Sequence, residues 1–151
     1  MTGEDALVVQ ASAVAVDGRA LLIEGPPGSG KSSLALALID RGAALIGDDA
    51  VRLARHGSTL LAGPPPNIAG LIELRGIGLV TLPLAAATPV ALILTLGGPE
   101  GERLPERAER RVIAGVPVPV LPFAPGGIAP AARAEWALRL HGLASGSSDP
   151  A

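Results

Sequence analysis

The sequence predicts an α/β fold dominated by short β-strands, with one helix behind a glycine-rich loop and a second helix near the C-terminus. Three observations carry this. Apolar runs of strand length, built from Leu, Val, Ile and Ala, recur along the chain between turn residues. Gly contributes 20 and Pro 15 of the 151 residues, and they punctuate the apolar runs, which implies short elements and many turns. Residues 31–41 and 130–143 carry helix start and stop signals.

Taken in order, Val8 to Val16 is rich in β-branched and small residues and reads as a strand. Asp17-Gly18 follows, then Ala20 to Ile23. An Asp-Gly pair between two apolar runs signals a tight hairpin, because both turn positions need positive φ. The second strand ends near Glu24 and gives way to a glycine-rich loop from Gly25 to Gly30. Lys31 to Arg41 reads as a helix, with Leu34, Leu36, Leu38 and Ile39 on a wide apolar face and Gly42 as its stop. Ala44 to Ile46 is a short buried strand that ends at Gly47-Asp48-Asp49. Val51 to Leu53 and Thr59 to Leu61 form another hairpin around a tip at His56-Gly57-Ser58, and Pro64-Pro65-Pro66 forbids regular structure. Leu71 to Leu82 alternates as a strand does, Val90 to Leu96 is a buried strand, and Gly97 to Arg111 is a charged loop. Pro117 and Pro119 make Val112 to Leu121 an edge strand or an extended segment. Pro130 to Leu143 is a helix with proline near its start. One domain over residues 1–143 is expected, followed by a flexible tail over 144–151.

Composition excludes several functions. Apolar residues make up 48% of the chain, ample for a core and unlike a disordered protein. A net charge of −2 argues against a surface that grips nucleic acid. Without cysteine there is neither a disulfide nor a thiolate metal site, and two histidines (His56 and His141) do not make a histidine-rich one. Both histidines read as surface residues. The apolar runs end well short of the ~20 residues a membrane span needs. Met1 to Asp5 lacks the basic region of a signal peptide, so a cytoplasmic location is expected.

Gly25-Pro26-Pro27-Gly28-Ser29-Gly30-Lys31-Ser32 matches G-x-x-x-x-G-K-[ST] at every position, after a strand and opening a helix. In such a P-loop the glycines let the backbone wrap around phosphate oxygens and aim its N–H groups inward. Lys31 can reach the β- and γ-phosphates, and the Ser32 hydroxyl can ligate Mg²⁺. Lys31 is also the one lysine among twelve basic residues, a compact ammonium at the position where phosphate suits it.

Two acidic segments follow. Asp48 and Asp49 end the strand after the P-loop helix, where an aspartate could accept a hydroxyl proton or hold Mg²⁺. Glu73 and Arg75 place an acid and a base on one face of an apolar strand. That is costly unless they pair or bind an ion. Arg103, Arg107, Arg110 and Arg111 interleave with Glu102, Glu106 and Glu109, which reads as a solvated, self-paired stretch.

Together these features resemble the catalytic domain of HPr kinase/phosphorylase, which acts on a seryl residue of the phosphocarrier protein HPr. The resemblance runs from about Val9 to Ala91 and more weakly to Arg103. It rests on the P-loop, on Asp40-Arg41-Gly42-Ala43-Ala44-Leu45-Ile46-Gly47-Asp48-Asp49, and on Ile72-Glu73-Leu74-Arg75-Gly76-Ile77-Gly78-Leu79-Val80. The last is similar to the family signature and far more specific than the P-loop. The length is like that of the short α-proteobacterial form without an N-terminal domain.

The resemblance implies a β-rich, P-loop-containing catalytic domain that uses ATP and Mg²⁺ on an HPr-type phosphocarrier, assembled as a homo-hexamer. It implies that Lys31 and Ser32 hold phosphate and metal, and that Glu73 is a second metal ligand. One of Asp48 and Asp49, with Asp49 favoured, would be the base that activates the target serine. Arg103 would stabilise the transferring phosphoryl group. The chain also departs from the family. Gln10 stands where the family has a catalytic histidine, and Gln does not titrate. Pro122 to Gly127 offers no base where the family has a basic segment tied to dephosphorylation, and Ser33 replaces a common acid. The expected function is therefore a serine kinase with a weak or absent phosphorylase reaction. The alternatives are an ATP-binding regulatory module and a small-molecule P-loop kinase.

Overall fold

The structure is a computed structural model that describes residues 6–66, 70–99 and 101–144. The elements in chain order are β1 (Ala6–Val9), β2 (Ser12–Val16), β3 (Arg19–Glu24), α1 (Lys31–Asp40), β4 (Ala44–Gly47), β5 (Val51–His56) and β6 (Thr59–Gly63). They continue with β7 (Leu71–Leu74), β8 (Gly78–Thr81), β9 (Thr88–Thr95), β10 (Glu109–Ile113), β11 (Val116–Pro122) and α2 (Pro130–His141). The main sheet runs β1-β5-β6-β9-β3-β2-β4, with β11 also beside β9 and β10 beside β11, while β7 and β8 form a separate hairpin. This is an α/β fold with a mixed sheet and a C-terminal helix.

Pairing is parallel between β3 and β9 and between β9 and β11. Thr95 is level with Glu24 on one side and with Pro122 on the other. The loops that leave these three strands therefore emerge together at one edge. Beyond the carboxyl ends of parallel strands is where α/β sheets bind ligands.

The central strands are buried on both faces, so alternate residues enter different cores. Leu21, Ile23, Leu92 and Leu94 pack with Leu34, Ala35 and Leu38 of α1 and with Ala134 and Leu138 of α2. Leu22 and Ile93 point the other way, toward Ile46, Val51, Leu53, Leu60 and Val118. The helices are fastened by ion pairing and capping. Arg41 makes a bidentate contact with Glu135, at 3.0 and 2.8 Å, linking the end of α1 to α2. That hydrogen-bonded guanidinium holds the Glu135 carboxyl below its ordinary value, against the opposing effect of burial. Arg19 donates to the Leu138 and Leu143 carbonyls at the end of α2, which suits a cation at a helix C-terminus. At the end of α1, Ala43 donates to Leu38 and Gly42 to Ile39, closing the helix in a Schellman motif with Gly42 at φ +112°.

The Asp17-Gly18 hairpin forms as expected, with both residues at positive φ. Six expectations need correction. Val8 to Val16 is two strands, because β1 pairs with β5 while β2 pairs with β3 and β4, and the chain changes partners at Gln10-Ala11. Leu71 to Leu82 is also broken, by a turn at Arg75-Gly76-Ile77. His56 closes β5 opposite Thr59 instead of occupying a turn tip. The charged loop ends at Ala108, since Glu109 begins a hairpin with β11 across Ala114-Gly115. Ala114 adopts φ +51°, a conformation an alanine does not advertise. Consequently Val120 to Pro122 lies inside the sheet beside β9 and not at its edge. Helix α2 ends at His141, two residues earlier than expected, and the tail from 145 onward lies outside the described residues. Among the described residues no helix is long and apolar enough to cross a membrane.

Candidate functional site

The P-loop joins the end of β3 to the start of α1. Gly25 is required by close approach, since a Cβ there would stand 2.8 Å from the Leu96 carbonyl oxygen. Ser29 donates its N–H to the Pro26 carbonyl at 3.1 Å, and Gly30 turns into the helix at φ +100°. No side chain caps α1. Its first-turn N–H groups are thus left to whatever anion occupies the loop, where the helix dipole favours negative charge. Lys31 folds back over the loop, its Nζ donating to the Gly25 carbonyl at 2.8 Å and to the Pro26 carbonyl at 3.3 Å. A phosphate would replace these neutral acceptors with charge-assisted ones, which are stronger.

Asp48 lies one residue past β4 and meets this loop directly. Its Oδ1 accepts the Ser32 hydroxyl at 2.7 Å and the Ser12 hydroxyl at 2.9 Å. Its Oδ2 accepts the Glu73 N–H at 3.4 Å. Asp48 therefore ties together β2, the start of α1 and β7. Gly47 is needed just before it, because a side chain there would strike the Ala50 carbonyl. Asp49 is exposed and held at φ +68°, a strained conformation for a non-glycine residue, and its N–H reaches the Ser12 hydroxyl at 3.4 Å. The two aspartates are adjacent in sequence but differently placed: Asp48 is bonded into the P-loop and Asp49 faces solvent.

These donors suit Mg²⁺. A carboxylate and a hydroxyl are hard oxygen ligands, and this ion usually takes one or two carboxylates together with waters and substrate phosphates. Among the described residues no cluster of three His, Asp or Glu side chains could hold a metal by itself, so waters and phosphate oxygens would complete the shell.

Of the residues singled out from the sequence, Lys31, Ser32 and Asp48 are brought together, with Asp49 beside them. Glu73 reaches the cluster through its peptide N–H. It is exposed and makes no ion pair with Arg75, so the expected burial cost does not arise. Arg103 is exposed, and neither ion pair among the described residues involves it. Arg111 pairs with Glu24, the residue before the P-loop, at 2.7 Å, so the charged stretch is not self-paired as expected. Gln10 is exposed between β1 and β2. His56 is exposed, as expected, while His141 is half-buried.

Sequence reasoning missed two features. One is Ser12, a buried hydroxyl whose partners are far away in the chain. The other is a cleft of about 1150 Å³ that runs from Ser29 and Gly97 along Thr95, Phe123, Arg133 and Trp136. It includes none of Lys31, Ser32, Asp48, Asp49 and Glu73. Arg133 is fixed beside it, its guanidinium 4.9 Å from the Phe123 ring centre and bonded to the Ala124, Pro125 and Ile128 carbonyls.

Three comparisons bear on this arrangement. The family model described as HPr Serine kinase C-terminal domain matches residues 5–126. An HPr kinase/phosphorylase of Azoarcus sp. (strain BH72) is 36% identical over 124 residues, covering 72% of this chain and 40% of that protein. One from Clostridium botulinum (strain Eklund 17B / Type B) is 46% identical over 67 residues, 44% of this chain and 22% of that protein. The chain thus spans well under half the length of these curated relatives. The solved Hpr(Ser) kinase/phosphatase from Coxiella burnetii superposes with a TM-score of 0.74 at 27% identity, covering 88% of this chain and 94% of that one.

Proposed function

Since the chain belongs to the HPr Serine kinase C-terminal domain family, we propose that it transfers the γ-phosphoryl group of ATP to a seryl hydroxyl of an HPr-type phosphocarrier protein. The observation that carries this reading is the contact of the Ser32 hydroxyl with Asp48, which joins the P-loop to an acidic turn. In P-loop chemistry a hydroxyl and an aspartate so placed hold the metal, while the lysine and the loop cradle the phosphates.

The residues divide the work as follows. Lys31 leaves the Gly25 and Pro26 carbonyls for the phosphate oxygens. Ser32 and Asp48 would hold Mg²⁺, with Glu73 as a further ligand; when bound, the ion neutralises charge on the phosphates. Asp49, exposed beside this cluster, would accept the proton of the attacking serine. The cleft next to Ser29 is large enough for the nucleoside portion of ATP. Positioning and charge neutralisation account for most of the acceleration in such transfers. Arg103 would have to move toward the phosphates to act on them. A cytoplasmic location and a hexameric assembly belong to the same reading.

The reverse, phosphate-dependent reaction is weak or absent on this reading. Phosphate attack on a phosphoserine brings anions together and needs added positive charge or a proton donor. Gln10 supplies neither, and Pro122 to Gly127 carries no base. Non-titrating Gln10 also favours, as a second reading, a regulatory module that binds ATP without turnover.

The deciding experiment incubates the chain with purified phosphocarriers and ATP·Mg²⁺ and follows phosphoserine by mass spectrometry. Partner-dependent ADP release with a modified serine supports the kinase. ATP binding with no transfer supports the regulatory module, and transfer to small molecules alone would displace both. Adding phosphate to the phosphorylated partner should release little pyrophosphate, and Gln10→His should increase it.

A further inference from the structure

The Ser12 hydroxyl has no part in the roles described so far, although its surroundings are unusual. It is fully buried on β2, among the apolar residues Ala11, Ala13 and Val14. A hydroxyl costs free energy in such a place unless it is bonded, and an alanine would fit the same space. Ser12 is bonded on both sides. It donates to Asp48 Oδ1 at 2.9 Å and accepts the Asp49 N–H at 3.4 Å.

One hydroxyl thus touches the side chain of Asp48 and the backbone of Asp49 at once. Asp48 Oδ1 has two hydroxyl donors, Ser12 and Ser32. Only Ser32 belongs to the P-loop; Ser12 reaches the carboxylate from the buried strand behind it. Asp49, at φ +68°, lies in a conformation that persists only where its surroundings hold it. The Ser12 contact is one such restraint.

We propose that Ser12 is a positioning residue that sets the aim of the Asp48 carboxylate and the attitude of the Asp49 peptide. Through Asp48 it controls metal affinity, and through Asp49 the placement of the proton acceptor. The proposal rests on the nucleotide–metal reading of the site. Hydrogen bonds to ligating carboxylates commonly govern metal affinity in this way.

The test measures Mn²⁺ binding in the presence of ADP by electron paramagnetic resonance for the unmodified chain and for Ser12→Ala, Ser12→Thr and Ser12→Val. Thr and Val have the same shape and differ in the hydroxyl, so any cost of the added methyl group cancels between them. We expect Ser12→Ala and Ser12→Val to weaken Mn²⁺ binding about tenfold and Ser12→Thr to bind about tenfold more tightly than Ser12→Val. ADP affinity measured in EDTA should stay unchanged in Ser12→Ala, because the phosphate loop is intact. Equal Mn²⁺ affinity in the Thr and Val variants would overturn the proposal. So would a Ser12→Ala variant that matches the unmodified chain, or one that loses ADP affinity and melting temperature together, as a purely structural residue would. If the unmodified chain binds ADP in EDTA but no Mn²⁺ with it, the metal reading falls and the role of Ser12 with it. If it binds no ADP at all, the proposed function itself falls.

Discussion

Asp48 and Asp49 share a residue type and a peptide bond, yet their surroundings give them different chemistry. Asp48 accepts three hydrogen bonds and is committed to the P-loop, whereas Asp49 is exposed with a strained backbone. Replacing each by Asn should therefore have distinguishable effects. Asp48→Asn should raise the Mg²⁺ concentration needed for half-maximal turnover. Asp49→Asn should lower kcat by about 100- to 10,000-fold, the usual contribution of a general base, with little change in the KM for ATP. Steady-state kinetics at varied Mg²⁺ and ATP separates the two. If both variants shift only the Mg²⁺ dependence, Asp49 is not the base. Lys31→Ala should abolish ATP binding in a fluorescent-nucleotide titration while leaving the melting temperature nearly unchanged, because its ammonium bonds only two carbonyls of its own loop.

The elements that carry these residues are held at both ends. Helix α1 starts at the P-loop and is clamped at its other end to α2 through Arg41 and Glu135. The Glu135 carboxyl titrates below its ordinary 4.5, chiefly because the Arg41 guanidinium bonds its charged form. A depressed carboxylate contributes stability that is present above its unfolded value and lost as pH falls through the folded one. Glu135→Gln should therefore melt several degrees below the unmodified chain at neutral pH, and the two melting curves should converge as pH falls below 4.5. A difference that persists at acid pH would mean that Gln disturbs packing and not the ion pair.

At the scale of the whole molecule, β3 and β9 separate two cores, and neighbouring residues serve different ones. Leu21 packs beneath the helices and Leu22 beneath the outer strands, and both are fully buried. Leu21→Ala and Leu22→Ala should each cost about 2–5 kcal/mol, the range for large cavities in a core. Urea unfolding should stay a single transition in both variants, since β3 and β9 contribute side chains to the two cores. Two separated transitions would show that the cores unfold independently.

Local chemistry is what the sequence determined by itself. The P-loop was legible because its glycines, lysine and serine act on their own backbone and on the next helix turn. Asp17-Gly18 and the end of α1 at Gly42 were legible for the same reason, as positions of positive φ set within a few residues. The acidic turn could be found in the sequence as well, although not which aspartate meets the loop. Tertiary structure decided what depends on partners distant along the chain. Ser12 reaches Asp48 across 36 positions, and Arg111 reaches Glu24 across 87. The break at Gln10 follows from a change of partner strand. The β10–β11 hairpin hid because its turn places Ala114, and not the usual Asn or Asp, before Gly115. Sequence pattern records the energy of a residue with its near neighbours. Pairing across a sheet is settled only when the whole set of strands competes for the same edges, and that competition placed Asp48 against the P-loop and left Asp49 in solvent.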